Sequence, residues 1–181
     1  MQEQPKFAIS TYDGGFFDFE NPEGYTYSIY SIAHALSNIC RYGGHSTKFY
    51  SVAEHSVLVS KLVPNHLALT ALFHDASEAF VGDMPTPLKA MFPEYKKLEE
   101  RIQKSISDQF GLVYPYPPEI KLADKMMYKA EREQITTVDD NVWYTDIPAA
   151  DTDIQCLSPE LARWQFLQRF DEIRQERLKA A

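Results

Sequence analysis

Apolar residues recur at strand spacing only near the start of this chain and at helical spacing through most of the rest. Between Lys6 and Phe19 the runs KFAIST and FFDF flank Tyr12-Asp13-Gly14-Gly15, which predicts a small β-hairpin. From Ile29 the stripe Ile29, Ile32, Ala33, Leu36, Ile39 and Cys40 predicts a helix that ends at Gly43-Gly44. It leaves His34, Asn38 and Arg41 on another face, at i, i+4 and i+7. The segment SVAEHSVLVSKLV predicts a second helix whose inward stripe, Val52, Val59 and Leu62, includes His55, and Pro64-Asn65 breaks it.

Residues Leu67 to Phe80 are apolar nearly all round, the pattern of one central helix in a bundle, and the loop Gly82-Asp83-Met84-Pro85-Thr86-Pro87 ends that unit. Pro93 opens an amphipathic helix with Tyr95, Leu98, Ile102, Ile106 and Phe110, closed by Gly111. Prolines 115, 117 and 118 mark a rigid connection to a helix from Glu119 to about Ile135 with the stripe Ile120, Ala123 and Met127. Residues 139 to 157 lack a clean period and read as a long loop. Ser158-Pro159-Glu160 then starts a terminal helix with Leu161, Trp164, Leu167, Phe170 and Ile173 as its apolar face. The fold expected is all-α with a small N-terminal hairpin.

Length and composition fit that reading. A chain of 181 residues, 44% apolar with 7 glycines, suits one domain, here a hairpin over about 6–19 and a helical core over about 28–180. A net charge of −8 and a pI near 5.1 disfavour a nucleic-acid polymer as partner, because phosphate neutralisation needs a basic face. Cys40 and Cys156 are far apart in sequence, which excludes a disulfide framework and a Cys-rich zinc site. No run approaches the ~18 apolar residues of a membrane span, and the first residues lack a secretory h-region. A cytoplasmic protein without membrane partners is expected.

The chemistry sits in the ionisable residues that interrupt these apolar stripes. His55, the pair His74-Asp75 and Asp124 project from three predicted helices, and neutral imidazole with carboxylate suits Mn, Fe, Co, Ni or Zn. Taken singly, His55 or Asp124 could be a hydrogen-bonded core residue. An imidazole beside a carboxylate on a central apolar helix is costlier without a cation, and together the four favour a metal. Glu78, four residues after His74, lies within reach of water at such a site, while Asp83 is a candidate acid or a turn-forming Asp. Arg41 offers a planar fork to phosphate oxygens or is a helix-end charge. His34 and Asn38 share its face as candidate substrate contacts or solvated polar groups, and Lys89 is a weaker phosphate candidate. Glu131, two turns after Asp124, borders the core stripe and needs a partner.

The order His, His-Asp, distant Asp resembles the HD-domain phosphohydrolases. The block HDASEAFVGDMPTPLK (74 to 89) looks like the core segment of the bacterial 5′-deoxynucleotidases of that superfamily, and SVAEHSVLVS, ICRYGGH and LADKMMYKAER are similar to the same group and its phage relatives. The resemblance runs from about Ile29 to about Arg132. It implies His55, His74, Asp75 and Asp124 as metal ligands, Glu78 and Asp83 as catalytic acids, and Arg41-Tyr42 in place of an Arg-Trp pair that touches phosphate and sugar. Tyr for Trp is a departure at the position that excludes a ribose 2′-hydroxyl. All five histidines precede Asp75, so the added histidines of dinuclear HD enzymes are missing and one divalent ion is expected. Glu78-Ala79 stands where alarmone hydrolases carry Glu-Asp. The expected reaction is hydrolysis of a small deoxynucleotide, a dNMP going to deoxynucleoside and phosphate, by a homo-oligomer. The alternatives are a dNTP triphosphohydrolase and a nucleotide-binding sensor that does no chemistry.

Overall fold

The computed structural model describes residues 5–137 and 146–180. The expected hairpin is present: β1 (Ala8–Ser10) pairs antiparallel with β2 (Phe16–Asp18), Ile9 opposite Phe17. Gly14, at φ 85°, turns the chain between them. Phe17 is fully buried and packs on Phe80 at 4.3 Å between ring centroids, within an aromatic cluster that includes Tyr25 and Tyr27. Those rings fasten the hairpin to the helical body.

That body is α1 (Ile29–Asn38), α2 (Val52–Lys61), α3 (Ala68–Leu72), α4 (Glu78–Val81), α5 (Thr86–Lys89), α6 (Pro93–Phe110), α7 (Pro118–Ile135) and α8 (Pro159–Ala180). Ser28 and Ser51 cap α1 and α2, each hydroxyl accepting from a backbone N–H three residues on. Gly111 ends α6 in the left-handed conformation, as its position predicts. The core joins Ile32, Ala33 and Leu36 of α1, Val57 and Val59 of α2, Ile102 and Ile106 of α6, and Ile120, Ala123 and Met127 of α7. The fold is the expected all-α arrangement with a small hairpin.

Four expectations need correction. First, Leu67 to Phe80 is not one helix: α3 stops at Leu72, five residues of turn follow, and α4 starts at Glu78. The ladder tightens to three-residue spacing there, as in Ala76 N–H to Phe73 O and Glu78 N–H to Asp75 O, both 3.0 Å. Gln103 of α6, buried, splices the break: its Nε2 donates to Phe73 O and its Oε1 accepts from Ser77 N–H, each at 3.0 Å. A regular helix turns about 100° between neighbours. The break lets adjacent His74 and Asp75 reach one point. Second, the expected Gly82–Pro87 loop stops at Pro85, because the one-turn α5 starts at Thr86 inside it, which the proline-rich sequence conceals.

Third, α8 buries Ala162, Phe166, Phe170 and Ile173, while Leu161 and Trp164 are 53% and 58% exposed. Phe170 and Ile173 are buried as expected and Leu167 packs against the core, but side-chain size pointed to the wrong residues in the first turns, where small Ala162 is what sits at the closely packed contact of α8 with the body. Part of the predicted 139–157 loop, residues 139–145, lies outside the described residues. The rest is irregular but tied down: Ala150 N–H donates to Met126 O, and buried Glu54 accepts from the backbone N–H of Gln155, Cys156 and Leu157 at 3.0, 3.1 and 2.8 Å. Fourth, Arg41 is not on α1, which ends at Asn38, so its face is not continuous with His34.

If Gln103 holds the break together, Gln103→Ala strands the buried Ser77 N–H and removes one of the two hydrogen bonds to Phe73 O, and should lower unfolding free energy by roughly 1–3 kcal/mol. Urea denaturation measures this, and a change within about 0.5 kcal/mol, the usual range for a surface substitution, would remove Gln103 from that role.

Candidate active site

The helix break, α2 and α7 bring four polar side chains to one point. His55 Nε2 lies 3.3 Å from His74 Nε2, 3.2 Å from Asp124 Oδ1 and 3.6 Å from Asp75 Oδ2. His74 Nε2 lies 3.1 Å from Asp75 Oδ2 and 3.8 Å from Asp124 Oδ1. His55 is fully buried and the Asp124 side chain is 43% exposed, so the cluster has a buried floor and an open side.

The far side of each ring decides what that point demands. His55 Nδ1 donates to Glu131 Oε1 at 2.5 Å, and His74 Nδ1 donates to Ala71 O at 2.8 Å. Neutral rings bonded this way turn both Nε2 lone pairs toward two carboxylate oxygens. Four acceptors then meet with no proton between them, which only a cation satisfies. Ligands ~2.1 Å from a common ion stand ~3.0 to 3.4 Å apart for right-angled or tetrahedral geometry, close to the spacings observed. The residues present therefore fit a divalent metal. In the chain alone the demand for positive charge falls on the rings: burial opposes protonation of His74, but Asp75 and Asp124 outweigh it and carry its pKa well above the ordinary histidine value.

Beside the cluster, Arg41 and Tyr42 occupy a tight turn over 41–44, in which Tyr42 takes φ 58°, a left-handed conformation rare for a bulky residue and typical of functional sites. Arg41 Nε and Nη2 donate to Glu131 Oε2 at 3.2 and 3.0 Å, and Arg41 Nη1 lies 3.7 Å from Asp75 Oδ2. Tyr42 donates its hydroxyl to Glu131 Oε2 at 2.7 Å, and Tyr50 donates to Oε1 at 2.9 Å. Burial alone would raise the Glu131 pKa; Arg41 and His55 reverse this and hold it at about 2. The partner that Glu131 needed is thus a set of donors drawn from the site itself.

Glu78, buried at the start of α4, has a carboxylate oxygen, Oε2, with no hydrogen-bond partner among the described residues. Burial, then the charges of Asp75 and Asp83, push its pKa well above the ordinary range. Half-buried Asp83 is also raised, chiefly by burial against the pull of Arg41. Lys89 donates to Glu99 at 2.7 Å and sits close enough to influence Glu78 and Asp83. The other two candidates go elsewhere. Asn38 turns its amide back onto His34 O, and the His34 ring stacks on Tyr12 at 3.8 Å beside a cleft of about 320 Å³ between the hairpin and α1. Sequence reasoning flagged Glu131 as unsatisfied but missed Tyr50, whose aromatic character reads simply as core.

A family described as 5′-deoxynucleotidase YfbR-like matches residues 20–143, which hold every one of these groups. The chain belongs to that family. Its members are HD-domain hydrolases of phosphoric esters, and this chain is one of these enzymes. Among relatives, the uncharacterised protein YfdR of Escherichia coli K12 is 39% identical over 168 residues, 91% of this chain and 94% of that protein. The 5′-deoxynucleotidases of Vibrio cholerae and Vibrio atlanticus are 33% and 31% identical over 93 and 99 residues, which is 49% and 50% of this chain but only 41% and 44% of those proteins. No helix among the described residues is long and apolar enough to cross a membrane.

Metal analysis of protein purified without chelator should find one divalent ion per chain, and Asp124→Ala should lose it, because a ligand set reduced to three loses charge as well as a donor. Two ions per chain, or an unchanged metal content in the variant, would contradict the assignment of these residues.

Proposed function

We propose that this protein is a metal-dependent 5′-deoxynucleotidase that converts a dNMP and water to a deoxynucleoside and phosphate. The observation that carries the reading is the cluster of His55, His74 and Asp124, with Asp75 beside both rings and the edge of the Arg41 guanidinium turned toward it, 3.7 Å from Asp75 Oδ2. A phosphate monoester dianion is the small ligand such a pairing suits, and the names of the Vibrio relatives agree.

A divalent ion on the four ligands would neutralise phosphate oxygens and lower the pKa of a water beside them. Arg41 holds the phosphate through the N–H groups that Glu131 leaves free. Glu78 Oε2 orients the attacking water and takes its proton as the water oxygen bonds to phosphorus. As the P–O5′ bond breaks, Asp83 supplies the proton that O5′ takes. The mutual repulsion of Glu78 and Asp83 opposes the ionisation of both at once. Tyr42, beside Arg41, places its ring where the sugar follows the phosphate. The unpartnered Glu78 oxygen is costly in a protein that only binds nucleotide, which weighs against a sensor.

Incubation with a panel of dNMPs, NMPs and dNTPs, with products separated by chromatography, tests the reading. Deoxynucleoside and inorganic phosphate from dNMPs are expected; inorganic triphosphate from dNTPs would replace it with the triphosphohydrolase reading, and no product from any substrate would reject both. Glu78→Gln should retain the metal and lose roughly two orders of magnitude or more in kcat, and unchanged turnover would remove Glu78 from the chemistry.

A further inference from the structure

Glu131 carries no role in the reaction proposed above, yet its fully buried carboxylate receives more hydrogen bonds than any other side chain in the site. Arg41 Nε and Nη2 and the Tyr42 hydroxyl reach Oε2, while the Tyr50 hydroxyl and His55 Nδ1 reach Oε1. A carboxylate offers about four lone-pair positions. Five donors saturate it, so Glu131 has no capacity left for a metal, a water or a substrate and acts through its neighbours.

The two oxygens serve different neighbours. On Oε1, accepting from His55 Nδ1 fixes the tautomer whose Nε2 lone pair faces Asp75, Asp124 and His74. On Oε2, the Nε and Nη2 edge of the guanidinium is occupied, which leaves Nη1 directed at the Asp75 side of the cluster. We propose that Glu131 is a positioning residue with divided labour, Oε1 orienting His55 for the metal and Oε2 orienting Arg41 and Tyr42 for the substrate phosphate. Tyr50 then belongs to the metal arm and Tyr42 to the phosphate arm. The assignment of the second arm rests on the proposed deoxynucleotidase reading; that of the first rests only on the ligand cluster.

Two binding measurements on the full chain separate the arms: Co²⁺ affinity of chelator-stripped protein by competition with a chromogenic chelator, and affinity of the Co²⁺-loaded protein for inorganic phosphate by calorimetry. Tyr50→Phe should weaken Co²⁺ binding several-fold and leave phosphate affinity within about twofold of wild type. Tyr42→Phe should do the reverse. Glu131→Gln should weaken both, Co²⁺ by the roughly 10- to 100-fold typical of losing a carboxylate behind a ligating histidine. A merely structural Glu131 would lower the melting temperature while leaving both affinities of the folded protein at wild-type values, and that result would overturn the proposal. If Glu131→Gln does not fold, the two tyrosine variants decide: opposite selectivity supports the divided carboxylate, and equal effects on both ligands overturn it. Wild-type protein that binds Co²⁺ but neither binds phosphate nor hydrolyses a deoxynucleotide would overturn the deoxynucleotidase reading and the Oε2 arm together, while the Tyr50→Phe metal titration would still judge the Oε1 arm.

Discussion

Two imidazole nitrogens and two carboxylate oxygens within about one coordination sphere demand positive charge at one point, and the surrounding structure is organised around that demand. His55 is held from behind by Glu131, His74 by the carbonyl of Ala71, and Asp75 stands beside the Arg41 guanidinium. Because the rings are locked through their outer nitrogens, the inner ones cannot rotate away to find water. The unsatisfied charge is thereby built into the packing rather than left to chance, the way a site selective for a cation is kept ready before its ion arrives.

Holding four such groups together requires precision in elements that contribute no ligand. Gln103 of α6 bridges the two sides of the helix break, and Tyr116 donates to His74 O at 3.0 Å. The hairpin participates from the other side: Phe17 packs against Phe80, two residues after the Glu78 whose carboxylate faces the site. The aromatic cluster of the N-terminal segment thus braces the short helix that carries Glu78, through rigid ring contacts rather than flexible aliphatic ones.

Much of this was legible in the sequence because it lies in periodic patterns or in a local motif. His55 interrupts an apolar stripe, so its inward direction followed from helical spacing; Gly111 ended α6 where its conformational freedom predicts. His74, Asp75, Glu78 and Asp83 fall in a sixteen-residue block whose resemblance named them together. The helix break at 73–77 was invisible because every residue there is compatible with a helix, and the cause, Gln103, is a tertiary partner 30 residues from Phe73. In α8 the larger Leu161 and Trp164 outweighed Ala162 in a reading based on hydrophobicity, whereas close packing selects for small size. Tyr50 escaped because a buried tyrosine ring looks like core until its hydroxyl finds an acid 81 positions away.

That last separation bears on how the protein is made. Glu131 is 76 positions from His55 and 90 from Arg41, and it lies seven residues beyond the last ligand, Asp124. During synthesis His55, His74 and Asp75 leave the ribosome well before the segment that completes the cluster and holds His55 from behind, an interval of seconds at roughly 5–20 residues per second. Until then His55 has no partner for its outer nitrogen, and a nascent chain of α1 to α6 offers a metal only a loose, incomplete site. Ion capture at this cluster would consequently be a late event, reserved for a chain whose α7 has already docked, so that a truncated or misdocked product would not sequester metal.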